Sequence, residues 1–437
     1  MSKSSKIYVC NNCSYESAKW LGQCPSCKDW NTFDETDPII SFSSMTSSKL
    51  TIKKLKDVSD NEAKLRHSTG FSEFDRVLGG GMVPSGVILI SGEPGIGKST
   101  LLMQVISYMK NALYVSAEES IQQVALRGKR LKLGSMDDLQ ILSGYEVNGI
   151  IEKIKEVKPS IVVVDSIQTV YADEVRGLPG GVAQIKAVSS KLIKFAKEAG
   201  IILFLVGQVT KEGSVAGPKL LEHLVDVVLE LQGDQKLDFR ILRCLKNRFG
   251  PTNEIGIFEM VESGLQEVTN PSIYFLDKEK GVERVGVCPA VIQEGIRLML
   301  VEMQSLTSRT LFALPKRVAE GFSRTKLEVL TAVLAKFTKY NLQDQDVYIN
   351  IAGGLRSADS MLDLPIVLAI ISSYANKPLP HDLVAFGEVS LTGQIRISKR
   401  AEQMEKECKR LGYTSFHKKF PNIKHVSQLY LFFKELK

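Results

Sequence analysis

Gly92-Glu93-Pro94-Gly95-Ile96-Gly97-Lys98-Ser99-Thr100 follows an apolar run at residues 87–90 and opens onto a helical pattern at 101–110. This is G-x-x-x-x-G-K-[ST] in the strand, loop, helix setting that the motif requires. The glycines let successive backbone N–H groups turn inward around a β-phosphate, Lys98 neutralises the β/γ oxygens, and Ser99 offers a hydroxyl to Mg²⁺. Residues 92–100 are therefore expected to hold ATP. Outward along the chain, Ile161-Val-Val-Val-Asp165 is an apolar strand ending in an acid placed to hold Mg²⁺ through water. Residue 166 is serine, not glutamate, so the group that orients an attacking water is sought at the end of a neighbouring strand. Leu113-Tyr-Val-Ser-Ala-Glu118-Glu119 supplies it, with Glu118 as the expected base. The competing account makes Glu118 an acid complementing the dipole of a helix that starts near Ile121. A further strand at 201–206 stops at Gly207-Gln208, an amide suited to sensing the γ-phosphate. Because these strands alternate with helical patterns such as 182–198, the expected fold is α/β, a P-loop core with a mainly parallel sheet and helices on both faces.

Four of the seven cysteines lie near the start, as Cys10-Asn-Asn-Cys13 and Cys24-Pro-Ser-Cys27. Paired CxxC turns deliver four thiolates to one tetrahedral Zn²⁺, a structural rather than catalytic site. Two disulfides are the alternative, disfavoured where no secretion signal is present. Both tryptophans, Trp20 and Trp30, sit in or beside this knuckle with Tyr8, Lys19 and Lys28. They pack over a core too small to hold itself without metal, or they dock a partner or a base. Cys244, Cys288 and Cys408 have no partner spacing and read as small core residues. Residues 39–59 are rich in Ser, Thr and Lys without a sustained period, which marks a linker.

The chain has 437 residues, 44% hydrophobic and 24% charged, long enough for two or three domains. No apolar run nears the ~18 residues of a membrane span, and MSKSSKIYVC lacks the apolar core of a signal peptide. A cytoplasmic protein with no membrane partner is expected. The net charge of +7 is mild. Residues 380–437 hold eleven Lys/Arg against six Asp/Glu, a solvated basic face or a polyanion contact.

The central pattern resembles the RecA-like ATPase core and, with its flanking pieces, the RadA (Sms) family of bacterial DNA-repair proteins. Beyond the knuckle and P-loop, the resemblance rests on Tyr114-Val-Ser-Ala-Glu-Glu-Ser120, Asp165-Ser-Ile-Gln168, Thr210-Lys-Glu-Gly213, Ala216-Gly-Pro-Lys219, Leu221-Glu-His-Leu-Val-Asp226 and Lys246-Asn-Arg-Phe-Gly250. It implies a DNA-dependent ATPase of recombinational repair, forming a homo-oligomeric ring, a hexamer, on single-stranded and branched DNA beside a RecA-type recombinase. It also implies that residues 209–222, with Lys211 and Lys219, meet DNA in the ring channel. Lys246 and Arg248 would act on nucleotide bound by the adjoining subunit; two solvated cations at a hairpin turn are the plainer account.

From about residue 281 the pattern turns to antiparallel-looking strands with interspersed helices, including 289–294, 297–305 and 347–351. Gly353-Gly354, Asp363-Leu-Pro-Ile-Val-Leu-Ala369 and Phe386-Gly-Glu-Val-Ser-Leu-Thr-Gly393 resemble the Lon protease domain. Met361 falls at the nucleophile's position, where a thioether cannot attack a carbonyl. Ser357 and Ser360 are out of register and Lys399 matches only with a gap, so a protease-like scaffold without proteolysis is expected. Lys316 and Arg317, following what reads as a Pro-bounded apolar strand, are candidate DNA contacts; for Arg324 and Lys326 a solvated helix face serves equally well. The expected domains are a zinc knuckle at 1–33, a linker at 34–59, the ATPase at 60–270 and the Lon-like domain at 271–437. A nucleotide-switched adaptor that loads a recombinase, and an ATP-dependent peptidase, are the alternatives.

Overall fold

The computed structural model describes residues 7–10, 16–25, 28–36, 65–131, 133, 138–208, 220–233, 239–276 and 284–436. The chain forms two compact units, Met1–Glu267 and Val268–Lys437.

At the start of the first unit, β1 (Ile7–Cys10) pairs antiparallel with both β2 (Glu16–Ser17) and β3 (Phe33–Thr36). Next comes α1 (Ser72–Val77), whose entry is fixed by Asp75: its carboxylate accepts from Thr69 N at 2.8 Å and Ser68 Oγ at 2.5 Å. Then β4 (Val87–Ser91) leads through the glycine-rich loop into α2 (Lys98–Ile106). The chain continues through β5 (Ala112–Ser116), α3 (Ile121–Arg130), β6 (Leu139–Ser143), α4 (Val147–Val157), β7 (Ile161–Asp165), α5 (Val182–Ala199) and β8 (Ile202–Val206). It closes with β9 (Val227–Gln232), β10 (Phe239–Asn247), β11 (Ile255–Val261) and β12 (Gly264–Glu267).

The strands β4 to β12 make one sheet in the order β12-β11-β10-β9-β4-β8-β7-β5-β6. Six neighbours, from β9 to β6, run parallel; β10, β11 and β12 extend the sheet antiparallel. The sheet is thus mainly parallel, as expected, with an antiparallel extension. Its central strands carry apolar side chains on both faces because each face is covered by helices. Alternation divides them: Ile88, Ile90, Tyr114 and Val163 join Leu101, Leu102 and Val105 on one side. Val87, Leu89, Val115 and Val164 join Ile150, Ile154, Ile185 and Val188 on the other. All C-terminal ends of the parallel strands therefore lie along one edge, where the loops gather.

The second unit begins with α6 (Ser272–Phe275), β13 (Val287–Glu294), β14 (Arg297–Arg309), β15 (Arg317–Glu320), α7 (Arg324–Phe337), β16 (Gln345–Ile351) and α8 (Asp363–Ala375). A four-stranded sheet has the order β13-β14-β16-β15, with only β15 parallel to its neighbour. Buried α8 packs on β13 and β14. Short pairs β17 (Leu383–Val384), β18 (Glu388–Val389), β19 (Ile395–Arg396) and β20 (Thr414–Ser415) alternate with α9 (Ala401–Arg410), before α10 (Phe416–Lys419) and α11 (Leu429–Glu435). No helix among the described residues is long and apolar enough to cross a membrane.

Candidate functional site

The glycine-rich loop joins the end of β4 to α2 and owes its course to two glycines. Gly92 has φ +151° and a Cβ there would lie 2.4 Å from Leu231 O; Gly97 has φ +114° and caps α2. Between them run Glu93, Pro94, Gly95 and Ile96, and Ser99 and Thr100 follow in the first turn of the helix. Lys98 is 6% exposed, its Nζ donating to Gly92 O and Glu93 O at 2.9 Å each. Burial lowers its pKa, while Asp165 and Glu118 push it back up.

Asp165 ends β7 beside Ser116, which ends β5. Its Oδ2 accepts from the Tyr114 hydroxyl. Burial, then Asp165, raises the Tyr114 pKa well above its ordinary value. Ser99 and Asp165 offer hard oxygens beside a cationic lysine, a donor set that fits Mg²⁺ with nucleotide phosphate.

Glu118 lies two residues beyond β5. Its Oε1 accepts from Ser166 Oγ at 2.5 Å and from Gln208 Nε2 at 3.0 Å. Gln208 is steadied in turn by Gln168, whose Nε2 donates to Gln208 O at 3.1 Å. The helix-dipole account of Glu118 loses ground here, because Ser120 caps α3 through a capping box with Gln123 and Glu118 faces the strand ends instead. Lys98, Asp165, Glu118 and Gln208 are thus gathered at one edge of the sheet.

Tyr114, Ser166 and Arg127 were not among the residues expected from sequence. Arg127 pairs with Glu119 through Nη2, while its buried Nη1 has no partner among the described residues. Tyr114 alone left a trace in the sequence, as a hydroxyl-bearing aromatic inside an apolar strand.

Lys246 and Arg248 lie elsewhere. Lys246 Nζ donates to Glu222 O at 2.6 Å and Val225 O at 2.9 Å, and Arg248 Nη1 meets Asp226 Oδ1 at 3.1 Å. Asp226 is buried and also accepts from Lys197 Nζ at 3.1 Å and from Val87 N at 3.2 Å. Since Val87 begins β4 and the phosphate loop follows its end, these cations occupy the opposite edge of the sheet. Arg66 fastens the same turn, donating to Phe249 O at 2.6 Å and Gly81 O at 3.1 Å.

Lys211 and Lys219 lie outside the described residues, as do Cys13 and Cys27. Cys10 and Cys24 are 1% exposed, and Lys28 N closes a turn onto Cys24 O at 2.9 Å. Two buried thiols at knuckle turns fit a thiolate metal such as Zn²⁺. Trp20 and Trp30 are 53% and 70% exposed and flank Gly22, so they do not form the knuckle's core. Cys244, Cys288 and Cys408 are buried and without disulfides; burial raises all three pKa values, Cys244 to about 11 and Cys408 to about 12.

In the second unit Arg317 corrects the sequence expectation. Its guanidinium donates to Lys316 O at 3.0 Å, Gln345 O at 2.5 Å and Leu342 O at 2.7 Å, so it clamps its own backbone rather than offering a free cation. Lys316 is exposed, its Nζ 3.9 Å above the Phe312 ring. Residues 310–316 form an exposed loop rather than a strand. Lys326 is no solvated cation either: it pairs with the buried Asp363 at 3.0 Å. Met361 is buried with Val291, Leu300, Val384, Phe386 and Met404, and Lys399 is exposed.

Family models agree with this layout. Residues 8–35 match the rubredoxin metal binding domain, 55–214 an AAA domain, and 303–417 the ChlI subunit of Mg-chelatase. Among solved structures, that of the RadB recombinase aligns over 46% of this chain and 99% of its own, at 24% identity and a TM-score of 0.38. Among characterised relatives, the DNA repair protein RadA of Bacillus subtilis is 45% identical, and that of Halalkalibacterium halodurans 44%, each over 94% of this chain and 92% of its own. The Escherichia coli protein of the same name is 43% identical over the same shares. With a P-loop core that matches an AAA domain between a zinc ribbon and a ChlI-like region, the chain belongs to the RadA family of DNA repair proteins.

Proposed function

We propose that this protein is a ring-forming, DNA-stimulated ATPase that moves along single strands and promotes branch migration or strand extension of recombination intermediates. The supporting observation is the separation of two sets of charged groups across one sheet. Glu118 faces Ser166 and Gln208 at the edge that carries Lys98 and Asp165, whereas Lys246 and Arg248 lie at the opposite edge. β4 spans that gap, about 13 Å at ~3.3 Å per residue, too far for either cation to reach its own chain's phosphate loop. Cations so placed serve nucleotide held by the adjoining copy, and a closed ring, here a hexamer, gives every copy such a neighbour.

Within each site Lys98 and the loop amides bind phosphate, and Ser99 and Asp165 hold Mg²⁺. Bound Mg²⁺ would neutralise charge developing on the phosphate oxygens. Glu118 orients the attacking water, and Gln208 senses the γ-phosphate at the start of the segment that includes Lys211 and Lys219. The zinc ribbon serves contact with a RecA-type recombinase. The Lon-like unit acts as scaffold and DNA contact through Lys316; buried Met361 leaves it without a nucleophile.

Steady-state ATP hydrolysis with and without single-stranded DNA tests this, on the parent and on Lys98→Ala, Glu118→Gln and Arg248→Ala. DNA should raise a rate that each substitution abolishes. Hydrolysis indifferent to DNA, or surviving Arg248→Ala, would leave the recombinase-loading adaptor as the better account.

A further inference from the structure

We infer that Tyr114 is a positioning residue for the magnesium site, its phenol orienting the Asp165 carboxylate. The inference rests on the Mg²⁺-ATP part of the reading above and goes beyond it in assigning a residue that touches neither metal nor phosphate.

Tyr114 sits in the middle of β5 and is 1% exposed, its ring part of the apolar layer that contains Leu101, Leu102 and Val163. Packing alone would accept phenylalanine. A buried hydroxyl must be paired, and its partner is the carboxylate expected at the metal. The phenolic hydrogen goes to Asp165 Oδ2. Occupation of Oδ2 leaves Oδ1 as the oxygen that would serve Mg²⁺. Tyr114 therefore sets the Asp165 carboxylate before nucleotide arrives.

The test measures binding of a fluorescent ATP analogue by the full chain, in EDTA and across a Mg²⁺ titration, for the parent and Tyr114→Phe. We expect unchanged affinity in EDTA and a Mg²⁺ requirement raised about tenfold, the scale of an outer-sphere substitution. In an Asp165→Asn background the same substitution should add nothing further, since the tyrosine acts through that carboxylate. A parental Mg²⁺ requirement in Tyr114→Phe overturns the inference. Equal weakening with and without Mg²⁺ also overturns it, assigning Tyr114 to the fold alone. Hydrolysis by the parent that ignores DNA would refute the motor and leave this result standing; a parent whose nucleotide binding ignores Mg²⁺ would refute both.

Discussion

Ser166 Oγ donates to Glu118 Oε1 at 2.5 Å, tying the residue after β7 to the loop after β5. With Gln208 on the same oxygen, Glu118 has one oxygen restrained and the other left to accept from water. Glu118→Gln should lower kcat by about 10²–10⁴ while nucleotide binding persists. Ser166→Ala, which loosens the carboxylate without removing it, should cost roughly one order of magnitude. Single-turnover hydrolysis separates the two, and a parental kcat in Glu118→Gln would remove it as the base.

Placement of Arg248 across the sheet from its own phosphate loop makes complementation a direct assay. Arg248→Ala alone should lose about 10³-fold in kcat, in the range of a finger supplied by a neighbour. Mixing it with Lys98→Ala chains should restore measurable hydrolysis, because some seams then join an intact Lys98 to an intact Arg248. Absence of any recovery in verified mixed oligomers would show that both residues serve one chain's nucleotide.

Arg66 bonds Phe249 O and Gly81 O, holding the turn that carries Arg248 onto the loop after α1. Arg66→Ala strands these carbonyls and should lower stability by about 2 kcal/mol, seen as a reduced Tm. Arg66→Lys should recover only part of the loss, since an ammonium lacks the planar fork. An unchanged Tm in Arg66→Ala would show that water satisfies the turn.

Acid should weaken the second unit through His417. Burial depresses its pKa below the ordinary value of 6.5, against the opposing pull of the Phe386 carbonyl and Glu405. The unfolded chain then binds the proton more readily than the folded one, so stability rises with pH through this window. The contribution is complete above about pH 6.5 and is lost as pH falls through the lowered pKa. Melting curves from about pH 7.5 to about pH 5 should show a falling Tm, with a smaller fall in His417→Gln. Equal pH dependence in the two proteins would point to another group.

Chelation should release one Zn²⁺ per chain, and Cys24→Ala should abolish metal uptake while leaving nucleotide affinity of the P-loop core unchanged. Metal analysis beside nucleotide titration checks both halves. Parental metal content in Cys24→Ala would remove Cys24 from the ligand set.

Much of this architecture was legible before any coordinates. Runs such as 87–90 and 161–165 read as strands because burial on both faces removes any need for polar alternation, and the phosphate loop is local, written in consecutive residues. What escaped depends on contacts between distant segments. The pairing of Ser166 and Gln208 on Glu118 joins three strand ends, and Asp226 gathers Val87, Lys197 and Arg248 from three elements. Arg317 misled for a related reason: whether a guanidinium meets solvent or its own backbone is settled by the neighbouring Leu342–Gln345 turn, which spacing along the chain does not reveal.

The exposed pair Trp20 and Trp30 are the only tryptophans of the 437-residue chain. Light absorbed by indole alone is consequently emitted from a single small domain, and the polypeptide carries a built-in optical label there. Emission colour and anisotropy will follow metal loading, or the arrival of a binding partner at the ribbon, in the intact molecule without chemical tagging. Events confined to the phosphate loop, by contrast, are spectrally silent in that channel, so one cuvette distinguishes signals arriving at the amino-terminal knuckle from those arising at the nucleotide.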